Sequence, residues 1–157
     1  MPDNQKTEAP EDGRLIFTFL SEIGIIAQLS RALLEERNPD GLSMPQFSVL
    51  NHLVRLGDKP SPLTLAKAFQ LPKTSMTHTL ATLEKQALIE MRPNPDDGRS
   101  KLIHITRAGQ AARERTIDAM LPDLAQLGVD VGVVNIKAAL PLLEKARQQL
   151  DSYRNDD

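Results

Sequence analysis

Between Ser61 and Ile105 the apolar spacing passes from a helical to an alternating period, and this order leaves few folds open. In "SPLTLAKAFQ", Ser61 is the expected helix cap and Pro62 suits the first helical position, with Leu65, Ala66 and Phe69 facing inward. The next segment, "LPKTSMTHTLATLEKQA", starts a helix at Pro72 or Lys73. Its apolar residues Met76, Leu80, Leu83 and Ala87 recur at offsets of four, three and four, one narrow stripe. "LIEMR" and "KLIHI" then alternate around "PNPDDGRS", as two short strands joined by a loop. Two short helices in tandem followed at once by a hairpin describe a winged helix-turn-helix.

The flanks are helical. Residues 15–36 carry Leu15, Ile16, Phe19, Leu20, Ile23, Ile26, Leu29, Leu33 and Leu34 at helical spacing, while Phe17 and Ile25 widen the stripe beyond one core face. A helix apolar over most of its girth lies between two bodies. In "LSMPQFSVLNHLVRLG", Ser43 is the expected cap, Pro45 is tolerated in the first turn, and Phe47, Leu50, Leu53 and Val54 supply the buried face before Gly57 closes it. From Thr106 two more helices follow, separated by Gly128, Asp130 and Gly132, with Pro122 and Pro141 expected to kink or interrupt them. The fold class is mainly α, with a two-stranded β-hairpin wing and terminal helices free to pair with a second copy.

This order divides the chain into a disordered polar lead-in (1–12), an N-terminal dimerisation helix (13–42), the winged helix-turn-helix (43–105) and C-terminal dimerisation helices (106–152). No apolar stretch is expected to span a bilayer, because Glu22 and Arg31 interrupt the longest. The absence of cysteine excludes disulfides, thiolate metal sites and thiol redox sensing. A cytoplasmic protein without a membrane partner is the expectation.

Charge is uneven. The chain carries −2 overall, yet from Lys59 to Arg107 eight basic residues face four acidic ones, a local +4 with acidic flanks. One face suited to phosphate is the implied use, with a solvated surface as the alternative. On the second short helix, Thr74, His78, Ala81 and Lys85 lie opposite Met76, with Ser75, Thr77 and Thr82 at the margins. Threonine is a mediocre helix former, so this face implies use, and docking in a major groove is that use. The hairpin turn explains Asp97-Gly98 but leaves Arg99 unexplained. A guanidinium at the tip suits a narrow minor groove, with Asp97 holding it in one rotamer and Arg92 and Lys101 near phosphates. The candidate DNA-contacting set is thus Lys73, Thr74, Ser75, Thr77, His78, Thr82, Arg92, Asp97, Arg99 and Lys101.

The run from Gly41 to Gly109, with Asp97-x-Arg99 ahead of the Thr106-x-x-Gly109 motif and "TLEKQALI" before both, resembles the MarR family of bacterial transcriptional regulators. The resemblance implies a homodimer on a palindromic double-stranded operator, acting as a repressor and often released by a small-molecule effector. It also implies an effector pocket between the dimer helices and the DNA-binding lobe, for which Phe17, Phe47 and His52 are the guessed lining. Three positions depart from the pattern: Pro72 replaces a capping serine, Gln70 a turn glycine, and His78 an arginine. An enzyme finds no support, since His52, His78 and His104 form no ligand motif and no nucleophile elbow or phosphate loop is present. No metal and no cofactor are expected. The rival reading is a winged-helix module for protein–protein contact alone.

Overall fold

A computed structural model of the chain describes residues 8–155, which divide into one unit through Ala119 and another from Met120 onward. The first unit holds α1 (Glu8–Arg37), α2 (Met44–Leu56), α3 (Pro62–Ala68), α4 (Lys73–Lys85), β1 (Ile89–Asn94), β2 (Asp97–Ile105) and the start of α5 (Arg107–Leu127). The second holds the rest of α5, a π-helical turn (Gly128–Gly132) and α6 (Val133–Asn155).

The core of the first unit is aliphatic. Val49, Leu50 and Leu53 of α2 meet Leu65 and Ala66 of α3, Met76, Leu80 and Leu83 of α4, Ile89 and Ile103 of the hairpin, and Ala112 of α5, all buried. The apolar stripes of α3 and α4 are those the spacing indicates. On α2 the buried set shifts, because Phe47 and Val54 are only half-buried while Val49 and the polar Gln46 are inside. Gln46 is there for a reason: its Oε1 accepts the Ser43 N–H at 2.8 Å, occupying a donor at the entry to α2. Ser61 Oγ accepts from the Thr64 N–H at 3.1 Å, closing the start of α3.

Both short helices end in the same hydrogen-bonded motif. After α3, the Leu71 N–H reaches Ala66 O at 2.9 Å and the Gln70 N–H reaches Lys67 O at 3.0 Å. After α4, the Leu88 N–H reaches Leu83 O and the Ala87 N–H reaches Glu84 O. Each pair of bonds forces one residue into the left-handed region, Gln70 at φ +53° and Ala87 at φ +58°. Ala87, expected in the buried stripe, is thus an exposed residue beyond the end of α4. A Cβ is strained there, so Ala87→Gly is expected to stabilise the fold by about 0.5–1 kcal/mol, read as a higher urea midpoint.

The base of α5 is fastened to the hairpin by the Thr106-x-x-Gly109 motif. Thr106 Oγ1 donates to Ala87 O at 2.8 Å and accepts the Gly109 N–H at 3.0 Å, while the Thr106 N–H donates to Leu88 O at 3.1 Å. Further along, Arg113 Nε and Nη2 donate to Asn51 Oδ1, and Arg115 grips Asp40 through Nε and Nη2 at 3.0 and 2.9 Å. Buried Thr116 donates to Asn38 Oδ1 or to Ala112 O. These bonds join α5 to α2 and to the turn after α1, which fixes the platform under the wing.

Four expectations change. Residues 8–12, read as a disordered lead-in, begin α1; residues 1–7 lie outside the described residues. Pro10 is tolerated because first-turn N–H groups have no helical partner. In the second unit Pro122 and Pro141 do not end their helices, and the glycines form a π-helical turn instead of a gap. Gly132 makes that turn possible at φ +89°, with the Asn135 amide bonded to Val131 O beside it. Finally, by length and composition alone, Glu11–Arg37 and Arg107–Tyr153 each contain a window apolar enough to cross a bilayer, so Glu22 and Arg31 do not interrupt α1 as expected. Two charges in 18 residues are too dilute to offset the Leu, Ile and Phe around them.

Candidate nucleic-acid interface

Helix α4 exposes the face opposite Met76. Lys73, Thr74, Ser75, Thr77, His78, Ala81 and Lys85 are all exposed, and Thr82 is half-buried. Pro72 precedes the helix and supplies no side-chain cap, so the first N–H groups of α4 receive no side-chain acceptor from that position. The threonines are less free than their exposure suggests. Thr77 Oγ1 donates to Lys73 O at 2.8 Å, Thr79 Oγ1 to Ser75 O at 3.1 Å and Thr82 Oγ1 to His78 O at 3.1 Å. Their lone pairs and methyl groups remain for a ligand.

The hairpin is antiparallel, from the Ile89–Ile105 pair to the Asn94–Asp97 pair, with an irregularity between Pro93 and Asn94. Its turn is not at Asp97-Gly98, as the sequence suggested. Pro95 and Asp96 form it, and Gly98 lies in β2 outside the left-handed region. Proline sets the φ that the first corner of a common turn requires, so no glycine is needed there. Asn94 organises the tip: its Oδ1 accepts the Asp96 N–H and its Nδ2 donates to Ser100 Oγ, both at 3.0 Å, while Ser100 Oγ donates to Asp97 O at 3.2 Å. The sequence reading missed Asn94 and Ser100, although an Asn directly before Pro-Asp is a recognisable side-chain turn signal.

Asp97 also acts differently from the expectation. Its Oδ1 accepts the backbone N–H of Arg99 at 3.0 Å and does not hold the guanidinium. Among the described residues no carboxylate pairs with Arg99, whose side chain stands exposed near the tip. Arg92, expected near phosphates, is engaged by its own strand: Nε and Nη2 both donate to Glu90 Oε2, at 3.1 and 2.7 Å. Lys101 is exposed on β2. At the wing base His104 is held below the ordinary imidazole range, first by burial and then by the positive charges of Arg92 and Lys59, with Glu90 opposing.

The guessed effector residues are not brought to one site. Phe17 is 72% exposed on α1, and the His52 ring leans on Phe69 with centroids 5.3 Å apart. A cleft of about 180 Å³ lies instead among Arg31 of α1, Met44 and Pro45 of α2, Phe69, Leu71 and Met76. Phe47 and His52 do not line it. Among the described residues no group of three or more His, Cys, Asp or Glu is arranged to hold a metal ion.

A sequence model of the MarR family matches residues 40–100, the span from the end of α1 to the wing. An HTH-type transcriptional regulator of Mycobacterium leprae is 30% identical over 124 residues, which cover 76% of this chain and 85% of that one. The chain belongs to the MarR family. Its fold follows that of solved MarR proteins. A cysteine-to-serine variant of E. coli MarR, complexed with operator DNA, superposes with a TM-score of 0.67 at 27% identity, covering 92% of this chain and 99% of that one. BldR from Sulfolobus solfataricus has the same fold at 20% identity, with a TM-score of 0.69 over 87% of this chain and 94% of its own. Within this MarR framework α3 and α4 form the helix-turn-helix and β1–β2 the wing. Two departures from the MarR pattern now have a structural meaning: Gln70 occupies a left-handed position that glycine would fill without strain, and Pro72 leaves α4 without a side-chain cap.

Proposed function

We propose that this MarR-family regulator is a homodimeric repressor that binds a palindromic double-stranded operator, with α4 in the major groove and Arg99 in the adjacent minor groove. The observation that carries the reading is the wing: a hydrogen-bonded tip with an exposed arginine that no carboxylate among the described residues pairs, together with a hydroxyl-rich exposed helix. The E. coli relative of the same fold, which was solved in complex with operator DNA, supports the DNA reading. Lys73, Thr74, Ser75, Thr77, His78 and Thr82 belong to the groove face, and Arg99 and Lys101 to the wing contacts. Arg92 must leave Glu90 before it can meet a phosphate.

Dimerisation is supported by what each unit leaves uncovered. On α1, Leu15, Ile16, Ile25, Ile26 and Leu29 are exposed together with Phe17. In the second unit, Leu124, Leu127, Val133, Val134, Leu140 and Leu142 are exposed too. So much apolar surface is beyond what a soluble monomer presents, and a second copy covers it. We assign residues 13–42 and 106–152 to this role and residues 43–105 to DNA.

The Arg31 cleft supports a ligand response. Its walls are apolar, its volume suits a single aromatic ring, and Arg31 supplies one cation for a carboxylate. Met76 and Thr79 of the recognition helix line it, so an occupant would press directly on α4. An aromatic monocarboxylate is expected to weaken operator binding, and Arg31→Gln to raise the concentration needed by about tenfold. Fluorescence anisotropy of a labelled duplex reads both, and an unchanged midpoint in Arg31→Gln removes the arginine from the site.

Salt tests the DNA reading against the protein-contact rival. The logarithm of affinity is expected to fall linearly with that of salt concentration, by about 0.9 for each phosphate neutralised. A module built for protein contact would bind no duplex even at low salt.

A further inference from the structure

We propose that α4 reads its half-site through thymine methyl groups rather than through paired hydrogen bonds to purines, an inference that rests on the DNA-binding reading above. The helix from Lys73 to Lys85 contains no Arg, Asn or Gln. Those are the side chains that grip guanine or adenine in the major groove with two bonds. Its lysines stand at the two ends, roughly 18 Å apart along the axis, where they face backbone phosphates and leave the centre of the helix uncharged.

That centre is Thr74, Thr77, His78 and Ala81, all exposed. The Thr77 hydroxyl proton is already given to Lys73 O at 2.8 Å, and that of Thr82 to His78 O at 3.1 Å. A hydroxyl so engaged cannot also donate to the O6 and N7 acceptors of guanine. It keeps a methyl group and a lone pair. Thr77 and Ala81 are four residues apart, so their methyls are neighbours on one face. Among base pairs in the major groove, A·T alone offers a methyl on thymine together with an amino donor on adenine. Guanine opposite this face would have two acceptors stripped of water and no donor returned, which is unfavourable. Midway along the helix His78 is the side chain able to donate, so a purine N7 contact fits there, and the Thr74 hydroxyl near the N-terminal end can supply at most a single bond of its own.

The test begins with selection of bound fragments from random duplex DNA at low salt. Deoxyuridine is then placed for thymidine, or 7-deazaguanine for guanine, in the selected half-sites. Loss of a contacted thymine methyl is expected to lower affinity about fourfold, and 7-deazaguanine to matter at no more than the two positions per half-site that face His78 and Thr74. Thr77→Ser keeps the hydroxyl and deletes the methyl; it is expected to lose its sensitivity to deoxyuridine at one position while the wild type retains it. Salt-sensitive binding indifferent to deoxyuridine, or selected sites with guanine along the helix-facing positions, would overturn this inference alone. An absence of duplex binding at low salt would overturn the DNA reading with it.

Discussion

Replacing Gly109 with alanine is expected to destabilise the fold by about 3–5 kcal/mol, among the largest effects a single methyl can have. An alanine Cβ at this position would lie 2.1 Å from the Leu88 carbonyl oxygen and 2.9 Å from Ile105 Cγ1. Leu88 O cannot swing aside at little cost, because it accepts the Thr106 N–H at 3.1 Å and is anchored to the end of β1. The start of α5 would have to withdraw, losing the Thr106 bonds to Ala87 and Leu88. Gly98→Ala is the control: nothing lies within 4 Å of a Cβ there, so its stability is expected to stay within about 0.5 kcal/mol of the parent. Urea unfolding of the two variants reads the difference. Equal midpoints would mean that α5 does not approach the hairpin this closely.

Arg99→Ala is expected to weaken operator binding by about 1–3 kcal/mol, from fivefold to over a hundredfold, with no loss of stability. The second half of that statement follows from exposure: the side chain lies on the surface, and among the described residues it makes no side-chain hydrogen bond or ion pair that holds the wing. Because Arg99 has no ion pair among the described residues, none of these must be broken before it enters a groove. Arg92→Ala is expected to cost less, since its guanidinium is already satisfied by Glu90 at 2.7 Å. Asp97→Ala acts through the backbone N–H of Arg99, so its effect on binding should shrink when Arg99 is absent. Anisotropy titrations of the two single variants and the double variant measure that coupling, and strictly additive losses would separate Asp97 from the arginine.

Much of this was legible in the chain. The narrow stripe Met76, Leu80 and Leu83 located α4, and the alternation on either side of residues 93–100 located the strands, because burial on one face imposes those periods. The position of Arg99 on an exposed wing was equally readable. The details that failed are those set by local hydrogen bonding. Asp97-Gly98 is a strong turn signal, but Asn94-Pro95-Asp96 wins because the Asn94 side chain bonds forward to Asp96 and across to Ser100. The helix-capping motif after α4 outranks the apolar spacing at Ala87, and a glycine-rich segment that looked like a break is absorbed as a π-helical turn. The engagement of the threonine hydroxyls by their own helix was invisible in the sequence, since an exposed threonine can turn its oxygen either way.

The pairing of two copies over one double helix is met most directly by sedimentation, run at micromolar protein without DNA and again with a selected duplex at low salt. The expected masses are those of two chains in the first run and of two chains on one duplex in the second. A single-chain mass with clear solubility, or a duplex that sediments unaccompanied, would contradict the assembly described here.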